Sequence, residues 1–91
     1  MDFEWDIAKA VKNLKRHKVS FKEAATVFGN PLSITYPDPD HSIDEHRFIT
    51  IGESGRGRLL MVAHTERGDN IRLISAREVT RQERQFYEEE S

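Results

Sequence analysis

The residues of this chain best suited to chemistry are arginines. Seven of them stand between Arg56 and Arg84 against four acids, and several flank aliphatic runs such as Arg47-Phe48-Ile49-Thr50-Ile51-Gly52 and Ile71-Arg72-Leu73-Ile74-Ser75-Ala76-Arg77. A guanidinium is planar, binds oxyanions in a two-pronged fork and keeps its charge across the working pH range, so arginines fixed on strands form a platform for an anion. Glu53, His64 and Tyr87 are the titratable groups that fall near them in the sequence. Of these, imidazole has the intrinsic pKa best placed for proton transfer near neutrality.

The element that must position these groups is an antiparallel meander from Arg47 to Arg77, its three strands joined at Gly55-Arg56 and at Gly68-Asp69. Two-residue turns at those pairs set Arg58 opposite Glu53, Arg47 opposite His64, and Arg77 opposite Leu60. Two polar clusters then result, about 13 Å apart at ~3.3 Å per residue. One holds Glu53, Arg56, Arg58 and Arg77, with Tyr87 folding back toward it; the other holds Arg47, His64 and Glu66.

The rest of the chain supplies helices and edges. Phe3-Glu4-Trp5 reads as an edge strand, and Asp6 caps a helix from Ile7 to about His17. Its Ile7, Val11 and Leu14 recur at helical spacing and are expected on the core, with Lys9, Lys12, Asn13 and Arg16 on the opposite side. Ser20 with Glu23 has capping-box spacing and opens a second helix, Phe21 to Phe28, closed by Gly29-Asn30-Pro31. Leu32 to Tyr36 alternates as a strand, the polar segment 37–45 is a loop, and Thr80 with Glu83 starts a terminal helix running through Tyr87. The expected architecture is α+β: a small antiparallel sheet, with the meander at its centre and edge strands beside it, packed with two N-terminal helices and a C-terminal helix.

At 91 residues and a net charge of −2, residues 1–91 form one domain with one core. The charge is unevenly spread: Lys9, Lys12, Lys15, Arg16, Lys18 and Lys22 crowd the first quarter, so a polyanion or an acidic protein is the natural partner. The absence of cysteine excludes disulfide scaffolds and zinc ribbons. No apolar run reaches the roughly 18 residues of a membrane span and no signal-peptide core is evident, so a cytoplasmic protein with no membrane association is expected. Asp38, Asp40, His41, Asp44, Glu45 and His46 resemble metal ligands in type, but their spacing fits neither an EF-hand nor HExxH, and a solvated acidic loop is the better reading. No metal or other cofactor is expected.

Phe3-Glu4-Trp5-Asp6, Lys9-Ala10, Asn13-Leu14, Lys15-Arg16-His17, Val19-Ser20-Phe21, Glu23-Ala24 and Val27-Phe28, followed by Arg47-Phe48, Ile51-Gly52, Arg67-Gly68, Ile71-Arg72 and Ile74-Ser75-Ala76-Arg77, together resemble the BrnT toxins. The resemblance runs from Phe3 to Tyr87. It implies a RelE-like fold, growth inhibition by endoribonuclease activity, and a cognate antitoxin similar to dimeric ribbon-helix-helix proteins, with operator DNA bound only through the complex. Two positions depart from the family's habit: Ile7 stands where proline is frequent, and Lys18 where glycine is, which strains the backbone if that position needs a positive φ.

Under that resemblance the anion is an RNA phosphate. RNA carries its own nucleophile, the 2′-hydroxyl, so cleavage needs a proton acceptor, charge stabilisation on the phosphoryl oxygens and a proton for the departing 5′-oxygen. Arg58 and Arg77 are assigned to charge stabilisation, Arg56 and Arg47 to phosphate binding, and Tyr87 to proton donation or base stacking. Lys9 and Lys12 contact the RNA backbone or an acidic antitoxin segment. Glu53 and His64 are the alternatives for the base. The competing reading is a non-catalytic module whose rim arginines and basic helix hold an antitoxin or RNA without cutting it.

Overall fold

The computed structural model describes residues 2–38 and 46–90. Its elements in chain order are β1 (Asp2–Glu4), α1 (Ile7–His17), α2 (Phe21–Thr26), a 3-10 turn (Val27–Gly29), β2 (Ile34–Pro37), β3 (Arg47–Glu53), β4 (Leu59–Arg67), β5 (Asn70–Glu78) and α3 (Arg81–Glu90). The strands form one sheet ordered β1-β5-β4-β3-β2, in which β1 runs parallel to β5 and every other pairing is antiparallel. The fold is therefore α+β, as expected. No helix among the described residues is long and apolar enough to cross a membrane.

The helix starts follow their caps. The Asp6 carboxylate accepts from the Lys9 amide at 3.1 Å and the Ser20 hydroxyl from the Glu23 amide at 3.0 Å. At the end of α1, Lys18 takes φ 61°, and it is the one non-glycine residue with positive φ among those described. Its amide donates to the Leu14 carbonyl at 3.0 Å, which closes the helix in the left-handed manner glycine favours. The strain anticipated for lysine at this position is thus present. The second helix is shorter than its capping pattern suggested: α-geometry ends at Thr26 and tightens into the 3-10 turn. Gly52 admits that turn against β3, because a Cβ there would lie 2.7 Å from Ser33 Cβ and 2.9 Å from Val27 Cγ1.

The core lies on one face of the sheet, under α1 and α2. Val19, Phe21, Ala24 and Val27 meet Leu60, Val62, Leu73 and Ala76, with Phe3, Trp5 and Phe28 closing the margins. Strand parity assigns Thr50, Leu60, Val62, His64, Leu73 and Ala76 to this face, since directly paired residues share a side. Ile51, Met61, Ala63, Arg47, Thr65, Arg72, Ser75 and Arg77 belong to the other, where Tyr36 of β2 meets Phe86 of α3 edge-on at 5.8 Å.

Helix α1 is rotated relative to the sequence expectation. Ile7, Val11 and Leu14 are 78 %, 49 % and 50 % exposed, whereas Asn13, expected on the charged side, is buried. The Asn13 amide nitrogen donates to the carbonyls of Val19 at 2.9 Å and Ala76 at 2.8 Å, and its oxygen accepts from the Ala76 amide at 3.0 Å. β1 covers β5 only from Asn70 to Arg72, so Ala76 lies on a stretch that β1 leaves unpaired, and the Asn13 carboxamide serves there as a one-residue strand. Hydrogen bonding to the sheet edge, not the aliphatic stripe, sets how α1 is turned.

Two local features shift the expected register. The first hairpin has a three-residue loop, Gly55 to Gly57, with Gly57 at φ 81° and the Ser54 amide bonded to the Arg58 carbonyl at 2.8 Å. Arg47 consequently pairs with Thr65 and Glu53 with Leu59, in place of His64 and Arg58. The second hairpin closes at Gly68-Asp69 as anticipated, and His64 pairs with Leu73, but a bulge then skips Ile74. Beyond it Arg77 pairs with Met61, not Leu60. A slip of one residue turns a side chain to the opposite face of the sheet.

Candidate functional site

The bulge carries Arg77 away from the core and under α3. Its two guanidinium nitrogens donate to the two carboxylate oxygens of Glu83, each at 2.8 Å, and Nη2 also lies 3.2 Å from Met61 Sδ. Glu83 is held from the helix side as well: its carboxylate accepts from the Thr80 amide at 2.8 Å while the Thr80 hydroxyl accepts from the Glu83 amide at 3.2 Å. This reciprocal capping box starts α3 and aims the carboxylate at the sheet. The Arg77 fork, above all, lowers the Glu83 carboxyl to about 2.

Tyr36 adjoins this pair. Its hydroxyl pKa is raised, first by burial and then by the Glu83 charge, so it remains protonated at neutral pH. Tyr36, Ile51, Met61, Gln82, Glu83 and Phe86 line a shallow hollow where α3 meets the sheet. Past this hollow the same face carries half-buried Ile49, Ala63 and Ser75, then Arg47 and Arg72 on either side of Thr65. Arg47 and Arg72 start two strands apart, about 10 Å at the usual strand spacing. Arg72 reaches Glu4 of β1 at 3.9 Å. This sheet face thus bears Arg47, Arg72 and Arg77 together with the protonated Tyr36 phenol and the Glu83 carboxylate.

Arg58 lies at the same end of the sheet but on the core side. Its Nε donates to Glu23 Oε2 at 2.9 Å, its Nη2 to Glu23 Oε1 and, at 3.0 Å, to the Lys18 carbonyl, and Glu78 lies 3.6 Å away. The Glu23 side chain is only 5 % exposed and also accepts from the Ser54 hydroxyl at 2.7 Å. The hydrogen bonds from Arg58 lower the Glu23 pKa in spite of burial. Arg58 is therefore the counter-ion of a buried carboxylate that ties α2 to the β3–β4 hairpin. The expected convergence of Arg58 with Arg77 is not found: the two head groups sit on opposite faces, each on its own carboxylate. Arg56, at the exposed hairpin tip, comes within 3.7 Å of Glu23. Glu53 is exposed at the end of β3, where its carbonyl accepts from Asn30 Nδ2 at 3.3 Å. Tyr87 donates to the Leu32 carbonyl at 3.1 Å, tying α3 to the segment before β2.

His64 does not join Arg47 at a rim. It is 4 % exposed, packed edge-on against Phe28 at 4.8 Å and stacked with Phe48 at 5.9 Å. Its Nε2 shares a hydrogen bond of 2.7 Å with Thr50, which in turn meets Thr35 at 2.7 Å. Burial lowers its pKa to about 4, so the ring is neutral at physiological pH. The physical reason for the misplacement is the shifted first hairpin, which pairs Phe48 with His64 and turns Arg47 to the other side.

Lys9 and Lys12 line a separate cleft with Asn13, Arg16, His17, Ile74 and Ser75, between α1 and the edge of β5. This cleft is basic on its helix wall and offers strand backbone on the other. Of the acidic loop proposed as a weak metal mimic, Asp40, His41, Asp44 and Glu45 lie outside the described residues.

Three contributors escaped sequence reasoning in its functional form. Tyr36 was legible only as a strand residue, Arg72 as one arginine among many, and Glu83 as a helix cap. Adjacent Leu73 and Ile74, both aliphatic within an alternating strand, were the available sign of the bulge that unites them.

No curated protein sequence matches the chain. Among solved structures it is similar to the Brucella abortus ribonuclease toxin, BrnT, with a TM-score of 0.71 and 21 % identity over 89 % of this chain and 99 % of that one. The family model described as the ribonuclease toxin, BrnT, of type II toxin-antitoxin systems matches residues 5–83. That match spans α1, α2, the whole meander and the Arg77–Glu83 pair at the start of α3, and the chain therefore belongs to the BrnT family of ribonuclease toxins.

Proposed function

We propose that this ribonuclease toxin cuts RNA by attack of a 2′-hydroxyl on the adjacent phosphate, on the sheet face that α3 borders. The 2′-oxygen bonds to phosphorus, the bond from phosphorus to the 5′-oxygen breaks, and the products end in a 2′,3′-cyclic phosphate and a 5′-hydroxyl. The proton leaves the 2′-oxygen for an acceptor and one is delivered to the 5′-oxygen. The observation that carries the reading is the Arg77–Glu83 fork beside Tyr36, at one end of a face that also bears Arg47 and Arg72. A phosphate presents the same pair of oxygens that Glu83 does, so it competes for the Arg77 fork. Once displaced, the carboxylate loses the partner that lowers its pKa and becomes a stronger proton acceptor. Tyr36, protonated at neutral pH, supplies a donor to the phosphoryl or leaving oxygen. This chemistry draws its positive charge from guanidinium groups and so proceeds in the absence of a metal ion.

Arg47 holds a flanking phosphate in this scheme, while Arg58 and His64 take holding roles suited to their burial. Lys9 and Lys12 extend the basic surface along α1. The family's toxin-antitoxin character supports a cognate antitoxin as partner, and we take it to be a dimeric ribbon-helix-helix protein through which the pair contacts operator DNA.

The test is cleavage of a labelled RNA oligonucleotide in excess EDTA, with analysis of product termini. Arg77→Ala is expected to lower the rate by about 100-fold or more, the usual cost of losing one transition-state donor. A folded Arg77→Ala protein that cuts at the wild-type rate would refute the assignment. One feature favours the binding-module alternative, namely that Glu83 already neutralises Arg77. That alternative predicts no products from the wild type at any RNA concentration and tight, non-destructive RNA binding.

A further inference from the structure

The Asn13 anchor turns the aliphatic stripe of α1 to solvent, where none of the described residues buries it. Ile7, Val11 and Leu14 occupy successive turns on one line and remain 49–78 % exposed. They form one wall of a shallow groove whose other side is Trp5 and Phe21, the latter buried and in edge-on contact with Trp5 at 6.0 Å. Large apolar side chains lined up along a groove mark an interaction surface, in contrast to the scattered ones of an ordinary exterior.

The charges around the groove identify what fits it. Between Ile7 and Lys22 the chain holds Lys9, Lys12, Lys15, Arg16, Lys18 and Lys22, and no acid. Lys22 lines the groove itself, and Lys15 lies one helical step outside Val11. A second copy of this chain, docked groove to groove about a two-fold axis, would set these lysines against their own counterparts. The complement is an apolar ridge flanked by carboxylates. Ile7 to Leu14 spans about 10 Å of helix, matched by two to three turns of a partner helix with apolar residues at i, i+4 and i+7.

We propose that this groove anchors an amphipathic, acid-flanked helix of the cognate antitoxin. The proposal rests on the family reading that an antitoxin exists, and does not depend on the cleavage mechanism. Its consequence is geometric. α1 and α2 cover the core face of the sheet, whereas the proposed RNA face is the opposite one, so the anchor and the catalytic face are separable by mutation. Neutralisation then requires a further antitoxin segment to reach around to the α3 side.

The experiment compares binding of the purified cognate antitoxin to the full-length wild type, Val11→Glu, and the charge reversal Lys15→Glu with Lys22→Glu. Val11→Glu is expected to lose about 30-fold or more in affinity, as removal of a central apolar anchor does. The charge reversal is expected to lose about 10-fold, with a weaker dependence on salt. Both variants should melt as the wild type does and cut RNA at its rate. Ile7→Glu, at the most exposed position, replaces Val11→Glu if the latter lowers the melting temperature. Affinity within threefold of wild type for the glutamate variant would overturn the proposal. So would light scattering that shows a dimer of the chain alone which the same variant splits, because the groove would then belong to a second copy. A wild type that fails to cut RNA, yet loses antitoxin through Val11→Glu, would sink the nuclease mechanism and leave the anchor standing.

Discussion

Truncating Asn13 should damage this protein more than any change on the exposed stripe beside it. The side chain is 6 % exposed and makes three hydrogen bonds, two to Ala76 and one to Val19. In Asn13→Ala the Ala76 amide loses its acceptor at a site with little room for water, which costs about 1–3 kcal/mol for an unsatisfied buried donor. The two carbonyls lose a donor each at about 1 kcal/mol apiece, because a carbonyl tolerates under-satisfaction better than an amide. The expected loss is about 3–5 kcal/mol, a large share of the roughly 5–14 kcal/mol total expected for a domain of this size. Urea denaturation measures it, and the thermal midpoint should fall by about 15–25 °C. Asn13→Asp sharpens the test. The aspartate can still accept from Ala76, but it sets a carboxylate against two carbonyls, which raises its folded-state pKa above the unfolded value. Stability contributed by the protonated form is then fully present below the unfolded pKa of about 3.9 and lost as pH rises through the folded pKa. Asn13→Asp should therefore gain stability relative to wild type as pH falls, while Asn13→Ala should not. An Asn13→Ala protein within 1 kcal/mol of wild type, or two variants with the same pH profile, would refute the view that this carboxamide fixes α1 to the sheet edge.

Other expectations follow from single residues. Lys18→Gly should stabilise by about 0.5–1 kcal/mol in urea denaturation, since it relieves the left-handed lysine but adds freedom to the unfolded chain. Gly52→Ala should destabilise by about 1–3 kcal/mol, because its new methyl meets backbone-anchored Ser33 and Val27 and forces them off β3. Glu23 and Glu83 both have folded pKa values below the ordinary 4.5, the latter about 2. Their contribution to stability is present above 4.5 and lost as pH falls through the folded values, so the urea midpoint should drop between pH 5 and pH 2, less steeply in Glu83→Gln. Arg58→Ala should lower the melting temperature by leaving Glu23 buried without its counter-ion, and adding Glu23→Gln should restore part of it. An Arg58→Ala protein that melts as the wild type does would argue instead for a role in RNA chemistry.

Much of the fold was legible because short-range signals decide it. Asp6, Ser20 and Thr80 with Glu83 each cap the helix their spacing announces, and the meander appears where aliphatic runs are punctuated by glycine. What was not legible depended on counts of one. Ser54-Gly55-Arg56-Gly57-Arg58 accommodates a two- or a three-residue loop, and the difference moves Arg47 from one face to the other. The bulge at Ile74 does the same for Arg77. Periodicity likewise located two stripes on α1 but could not say which faced inward, since an aliphatic stripe suits a partner's groove as well as a core. The polar residue that decides the matter, Asn13, is an ordinary surface residue until the free edge of β5 is known.

The two arginine–carboxylate pairs illustrate how equal chemistry acquires unequal roles. Glu23 and Glu83 each take a guanidinium fork, and each has its pKa lowered chiefly by that fork. Glu23, however, is 5 % exposed, is held by Ser54 as well and lies against the core, so removing its arginine strands a charge that water cannot reach. Glu83 is 24 % exposed on a helix that borders an uncovered stretch of sheet. In the mechanism proposed above an incoming phosphate replaces it at Arg77, and the displaced carboxylate keeps the Thr80 amide as a donor. On that proposal, exposure of the acid, more than of the base, separates the arginine that holds the fold from the arginine assigned to RNA. Inorganic phosphate offers a direct check. Titrated into the wild type, it should perturb the Arg77 side-chain resonances and leave those of Arg58 unmoved, whereas equal shifts at both would erase the distinction drawn between the two faces.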